Sequence, residues 1–359
     1  MANTKIPNEL LEIGAKAFGT SSIMIGDTTT GTIDAANYNT GLGVDVFAAL
    51  TSGDYNVAVG KGSISSNTSG EKNVAIGTDA LAGNTTGNNN TAVGNSALYA
   101  NTTGAANVAL GALALDANTT GDSNTALGRN SLTANTTGTQ NVGAGYATLA
   151  ANTTANNNTA MGYNALVANT TGHSNVAVGA LALDANTTAN NNTAIGYESL
   201  TTNTTGTANT GVGRTSLNAN STGSNNTSVG MGSLESNTTA SHNTAVGKDS
   251  LQTNTTGAEN VGIGVSALKS NTTGGTNVAV GISALEDNTT ASENTSVGAY
   301  SLTTNTTGAS NTAMGTDALR LNTTGSANTA FGRDSLRHNT TASNNTAVGK
   351  NALEVNTTG

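Results

Sequence analysis

Apolar and polar positions follow each other along this chain with a period of 17 residues. The unit reads Asn-Thr-Thr-Gly/Ala, two variable residues, Asn-Thr/Val-Ala-Val/Ile/Leu-Gly, two variable residues, Ser/Ala-Leu and two further variable residues. We number it from its first Asn, so that Asn67 stands at position 1, the second Asn at position 7 and the Gly that closes the apolar run at position 11. Position 7 recurs without insertion from Asn56 to Asn345, and position 11 from Gly60 to Gly349.

This period and pattern predict an all-β fold. Helical repeats need about 33 to 47 residues, so a 17-residue unit is too short for a helix pair. The run from position 7 to position 11 is typical of a short β-strand, and corners rich in Asn, Thr and Gly flank it. We therefore predict a parallel β-solenoid, or β-roll, of about twenty 17-residue coils, with neighbouring coils about 4.8 Å apart.

Each repeated column has a physical role in such a solenoid. Stacked Asn side chains can bond amide to amide, Gly at the strand end permits a positive φ, and Leu at position 15 forms an apolar stripe. We expect this structural ladder at Asn56, Gly60, Asn73, Gly77, Asn90, Gly94, Leu98, Asn345 and Gly349. After residue 60 every charged side chain falls in one of the three variable pairs, which predicts that these pairs form solvated corners.

The repeat also defines the organisation of the chain. Residues 56–359 form the regular repeats, and residues 22–55 form degenerate first coils with Phe47 in the Leu column. Residues 1–21 are predicted to be an N-terminal attachment or capping segment, helical or irregular. Within it, residues 7–18 follow an amphipathic helical pattern.

Composition excludes several function classes. The 359 residues include 45 Gly, 1 Pro, no Cys and no Trp, and the net charge is −9. Nucleic-acid binding needs a clustered basic surface, which this acidic chain lacks. No stretch reaches the roughly 18 apolar residues of a membrane span, so we expect no membrane insertion.

Candidate chemistry is sparse. The carboxylates are dispersed and the three His lie many coils apart, so we predict no catalytic residues, no metal site and no cofactor, and we expect no enzymatic activity. Exposed Tyr rings can stack on sugars, and they are the best candidate binding residues. These are Tyr146, Tyr163, Tyr197 and Tyr300.

One pair of carboxylates is close in the predicted solenoid. Asp317 and Asp334 occupy position 13 of adjacent coils, where they could hold a cation. Arg333 and Lys350 lie nearby, which favours a neutralised, solvated charge cluster.

The two apolar stripes indicate self-association. Ala at position 9 indicates a narrow interior, which cannot easily accommodate both the Leu of position 15 and the Val, Ile or Leu of position 10. We expect one stripe to pack against neighbouring copies around a threefold axis. The predicted partner is therefore the chain itself, as a homotrimer.

The repeat resembles two known families. The run Asn-Thr-Ala-Val-Gly-x-x-Ser-Leu resembles the N-S-V-A-I-G-x-x-S motif in the heads of trimeric autotransporter adhesins. The 17-residue form with Asn-Thr-Thr-Gly resembles the shaft repeats of bacteriophage tail fibres, over residues 22–359. The opening Met-Ala-Asn-Thr-Lys-Ile-Pro is similar to many tail-fibre N-termini, where that end attaches to the particle.

This resemblance implies a left-handed, homotrimeric solenoid and a structural role. The chain would be the shaft of a virion tail fibre that holds a host-contact tip away from the particle, with weak multivalent contacts to cell-surface glycan. Its N-terminal segment would attach to the phage particle or baseplate. Two alternatives stay open: a trimeric adhesin head at the bacterial cell surface, and a self-assembling extracellular filament.

Overall fold

The computed structural model describes residues 15–18, 22–26 and 35–357. The chain divides into two units, Met1–Thr171 and Gly172–Gly359, which are described separately. Both units are all-β over the described residues, which contain no helix. The predicted all-β repeat fold is therefore confirmed.

The first unit is a short antiparallel pair followed by a parallel ladder. Its strands are β1 (Ala15–Phe18), β2 (Ser22–Gly26), β3 (Thr40–Gly43), β4 (Val57–Val59), β5 (Val74–Ile76), β6 (Thr91–Val93), β7 (Val108–Leu110), β8 (Thr125–Leu127), β9 (Val142–Ala144) and β10 (Thr159–Met161). β1 pairs antiparallel with β2, and from β2 to β10 each strand pairs in parallel with the next strand in chain order. Only a solenoid connects parallel neighbours by such short segments.

The second unit is a parallel ladder throughout. Its strands are β11 (Val176–Val178), β12 (Thr193–Ile195), β13 (Thr210–Val212), β14 (Thr227–Val229), β15 (Thr244–Val246), β16 (Val261–Ile263), β17 (Val278–Val280), β18 (Thr295–Val297), β19 (Thr312–Met314), β20 (Thr329–Phe331) and β21 (Thr346–Val348). Each pairs in parallel with the next. Partners differ by 17 residues, as Val261 and Val278 do, so one repeat forms one coil.

The interior of each coil is narrow and consists of repeated small and branched side chains. Ala at position 9 and Leu at position 15 are buried, and Leu98 has no exposed surface. The side chains at position 10 point outward, because successive residues of a strand face opposite sides. Ile76 and Ile263 are 42% and 40% exposed. The prediction that only one of the two apolar stripes fits inside is confirmed.

Two buried ladders of Asn side chains join consecutive coils, as predicted. The backbone N–H of Asn73 donates to Oδ1 of Asn56 at 3.0 Å, and Nδ2 of Asn84 donates to Oδ1 of Asn67 at 2.9 Å. The carbonyl of Gly87 at position 4 accepts from Nδ2 of both Asn73 and Asn84, at 2.9 and 3.0 Å. This carbonyl therefore links the ladder of position 7 to the ladder of position 1.

The predicted N-terminal helix is wrong where it can be compared with the structure. Residues 15–18 form β1, in which Ala15 lies opposite Ile25 and Phe18 opposite Ser22. Pairing with β2 satisfies backbone groups that a short helix interrupted by glycine would leave poorly supported. Residues 7–14 of that prediction lie outside the described residues. The predicted burial of Phe47 in the Leu column is confirmed.

The coil contains left-handed backbone at three positions that carry ordinary side chains. In the coil that begins at Asn84, these are Asn89, Ser96 and Leu98, with φ of 58°, 53° and 53°. The Leu column repeats this geometry in coil after coil. The sequence analysis expected positive φ only at glycine. Non-Gly residues in this region cost of order 1–3 kcal/mol each, so the inter-coil contacts must offset considerable strain.

Position 11 requires glycine for two independent reasons. Gly264 has a φ of 132°, a conformation that side chains strongly disfavour. A Cβ atom there would also lie 2.4 Å from the carbonyl oxygen of Gly281 in the next coil. Both the backbone conformation and the close approach of coils exclude a side chain.

Gly264→Ala should therefore destabilise the protein by about 2 kcal/mol or more. Gly275→Ala is the matched control, since position 5 carries Ala in several other coils and Gly275 has no positive φ. We expect the control to change stability by less than about 0.5 kcal/mol. Thermal denaturation followed by circular dichroism measures both, and equal melting temperatures for the two variants would contradict the steric argument.

Small core residues compensate each other between neighbouring coils. Ser199 at position 14 donates to the carbonyl of Gly211 at position 9 of the next coil, at 3.0 Å. A Cβ on Gly211 would lie 2.7 Å from the Ser199 Oγ. Other coils place Ala at both positions, as in Ala165 and Ala177. The extra hydroxyl at position 14 therefore occupies the space vacated by the methyl group at position 9.

A double-mutant cycle tests this compensation. Gly211→Ala alone overpacks the core and should cost about 1–3 kcal/mol, while Ser199→Ala alone loses a hydrogen bond worth about 1 kcal/mol. The double variant restores the Ala pair of other coils and should be more stable than Gly211→Ala. Additive losses in thermal denaturation would show that the two positions are independent.

Candidate interaction surfaces

The outward-facing positions of the coil form the candidate functional surface. Position 10 forms an outer apolar stripe, defined by Val59, Ile76, Val93 and their successors at intervals of 17 residues. No charged residue occupies position 8 or position 10 in any regular coil. The outward face of the strands is therefore uncharged and partly apolar, whereas charged side chains lie at the corners.

The structure brings together only two of the four predicted Tyr residues. Tyr146 and Tyr163 stack in adjacent coils, with ring centroids 5.6 Å apart and ring planes 11° from parallel. Tyr300 lies about six coils beyond Tyr197 and one position further along its coil. Because Tyr146 and Tyr163 cover each other's faces, their stacking reduces the ring surface available to a ligand.

The other two predicted Tyr residues have charged neighbours. The Glu198 carboxylate accepts a hydrogen bond from Tyr197, and this bond, together with the nearby negative charge, raises the pKa of the Tyr197 phenol. The guanidinium of Arg320 lies over the ring of Tyr300, 5.4 Å from its centroid. Neither arrangement encloses a ligand-sized space.

Sequence reasoning missed three further exposed Tyr residues. Tyr38 and Tyr55 stack with centroids 4.9 Å apart, at position 6 of the first coils. Tyr99 lies at position 16 and borders a surface depression. A count of aromatic residues at every variable position would have found all three, since the earlier selection considered only positions 12 and 13.

The predicted charge cluster is present, with different partners. Arg320 pairs with Asp317 at 3.0 Å, and Arg333 and Arg337 pair with Asp334 at 3.0 and 3.5 Å. Lys350 forms no ion pair within the described part of the chain. An Arg at position 16 reaches back to position 13 of its own coil, so each carboxylate has a cation closer than the sequence pattern suggested.

No metal site or membrane helix is apparent in the described ranges. There, no three His, Asp or Glu side chains are grouped so that they could hold a metal ion. The same residues contain no helix with the length and apolar character needed to cross a bilayer.

The comparisons with known proteins assign no family. No protein-family model matches the chain, and no curated protein matches it significantly. The fold and the surface chemistry of the described residues therefore carry the functional argument.

One carboxyl on this surface is electrostatically unfavourable. Partial burial, and to a lesser extent the adjacent Glu286 carboxylate, raise the pKa of Asp287 above the usual value of 3.8. A carboxyl with a raised folded-state pKa favours the fold while it is protonated. That contribution is lost as pH rises through the folded-state pKa.

Asp287→Asn should therefore raise the melting temperature at neutral pH, and the gain should vanish well below pH 3.8. Glu259→Gln removes the same charge from an exposed side chain and controls for the general relief of a net charge of −9. Melting temperatures across this pH range check the prediction. A gain no larger than that of the control would contradict it.

Proposed function

We propose that this protein is a structural fibre protein, the shaft of a phage-type tail fibre that holds a host-contact tip away from the particle. The observation that carries the proposal is the repeated bonding between coils. In each unit, parallel strand pairs and Asn ladders recur at every 17-residue step. A tensile or bending load on such a chain is shared among many hydrogen bonds, and this mechanical role requires no catalytic residue.

The outer apolar stripe supports self-association as a homotrimer. Its side chains include Ile263 at 40%, Leu110 at 43% and Phe331 at 53% exposure. A stripe of apolar side chains that recurs in every coil is the kind of surface that protein interfaces bury. Pressing this stripe against neighbouring copies would also supply the apolar burial that a narrow coil lacks by itself.

The charges that flank the outer stripe support a cyclic arrangement of copies. On one side, position 12 carries only basic charges, which are Lys61, Arg129, Arg214, Lys248, Arg333 and Lys350. On the other side, positions 5 and 6 carry five acidic residues and one Lys, and these residues are Asp54, Glu71, Lys72, Asp122, Glu259 and Glu293. In a cyclic oligomer one edge of each copy meets the opposite edge of the next, so basic and acidic corners would face each other.

The remaining parts of the proposal come from the resemblance to tail-fibre repeats. Residues 1–21 would attach the shaft to the phage particle or baseplate, which gives the chain a virion location. The corner positions would add weak contacts to cell-surface glycan, strengthened by multivalency. A trimeric adhesin head would use the same self-association surface but would be displayed at a bacterial surface.

Light scattering during size exclusion tests the proposal. We expect a mass near three times 35.1 kDa for the purified chain. Ile263→Glu places a charge on the outer stripe and should shift the mass toward a single chain, because burying an unpaired carboxylate in an interface is costly. Its effect on the isolated coil should be within about 0.5 kcal/mol, since Ile263 is already exposed.

Thr256→Glu is the matched control, because it adds the same charge to an exposed residue outside the outer stripe, in an adjacent coil. The control should keep the mass of the unmodified protein. A folded single chain in every sample would overturn the trimer. Large species of many sizes would favour the self-assembling filament over a discrete shaft.

A further inference from the structure

One surface depression interrupts the regular corners of the first unit. It has a volume of about 280 Å³ and is lined by Ser65, Ser66, Asp79, Gly83, Tyr99 and the alanines beside them. These residues belong to three consecutive coils and lie at positions 13, 16 and 17. The depression is therefore away from the outer stripe of position 10.

The depression exists because two substitutions in the repeat coincide. Gly83 is the only glycine at position 17, and Tyr99 is the only aromatic residue at position 16. The N–H of Gly83 donates to the Tyr99 carbonyl at 2.8 Å, and a Cβ on Gly83 would lie 2.7 Å from that oxygen. A missing side chain in one coil thus lies next to the largest side chain that the corner carries, in the next coil.

The lining residues combine an aromatic wall with hydrogen-bonding groups. Tyr99 is 50% exposed, and aromatic rings pack against the apolar C–H faces of sugars while their hydroxyl groups remain available. The Asp79 carboxylate accepts hydrogen bonds, and the hydroxyls of Ser65 and Ser66 both donate and accept. Sugar hydroxyl groups need this mixture of acceptors and donors around one apolar face.

Size and charge narrow the ligand further. Pockets for drug-sized molecules hold about 300–1,000 Å³, so this depression suits a single ring of a longer, otherwise solvated chain. No basic side chain lines it. The Asp79 carboxylate would repel the acid group of an acidic sugar, which disfavours sialic and uronic acids.

We propose that this depression is a binding subsite for one neutral sugar ring of a glycan. Tyr99 provides the stacking wall, Asp79 and the two serines bind the ring hydroxyls, and Gly83 leaves the space that the ring occupies. The site lies within one chain and off the outer stripe. It therefore extends the proposed function without depending on self-association.

Saturation-transfer difference NMR on the full chain tests the site. The probes are methyl glycosides of glucose, galactose and N-acetylglucosamine, with a methyl sialoside as the acidic comparison. We expect signal from at least one neutral glycoside and none from the sialoside. Tyr99→Ala should weaken binding by about tenfold or more, as expected for losing about 1.4 kcal/mol of stacking.

Two further variants separate a binding role from a folding defect. Ser66→Phe fills the depression from an exposed residue and should abolish the signal while the circular dichroism spectrum stays unchanged. Tyr197→Ala removes an exposed Tyr that borders no such depression, and it should bind the neutral glycoside as the unmodified chain does. Light scattering on the same samples reports self-association separately, so a failed subsite and a failed fibre proposal give different results.

Three results would overturn the proposal. The first is no signal from any neutral glycoside, and the second is signal that survives both Tyr99→Ala and Ser66→Phe. The third is equal loss in Tyr197→Ala, or preference for the sialoside, because either would assign the contact to another surface or another chemistry.

Discussion

The bond between one coil and the next is the constraint on which the rest of this structure depends. A chain with so few large side chains cannot fold around a conventional apolar core. Each coil instead bonds to its neighbour through its backbone and through buried Asn side chains. The position 4 carbonyl, as in Gly87, accepts from two such side chains at once. Because buried amides are costly when unpaired, any shift of one coil against the next would break several bonds together.

This constraint explains both the strained backbone and the choice of residues that tolerate it. Coils that approach closely enough for Asn stacking must turn sharply, and they do so through left-handed residues at positions 6, 13 and 15 and through Gly at position 11. β-branched side chains are least compatible with the left-handed region. Accordingly, Ile64 is the only β-branched residue in the regular Leu column, whereas Val265 and Ile282 occur at position 12, where φ is not positive.

The period, the strand positions, the Asn ladders and the division into inner and outer stripes follow from the sequence, because a repeat displays each structural requirement many times. The N-terminal strand did not follow, since Ala15–Phe18 belongs to no repeat and its helical pattern was read without knowledge of its partner β2. Left-handed non-Gly residues also escaped prediction. Their signal is the scarcity of Val and Ile at particular columns, which becomes meaningful only after the backbone geometry is known.

Surface chemistry was harder to predict for a related reason. In a repeat, a side chain that recurs reports on the fold, so information about binding lies in the departures from the pattern. Tyr146 and Tyr163 share a column and therefore attracted attention, yet they mainly stack on each other. Gly83 and Tyr99 depart from their columns in adjacent coils, and neither departure has a purpose that the coil itself supplies. Two unrelated exceptions that together form one depression are stronger evidence of a binding role than a regular row of similar side chains.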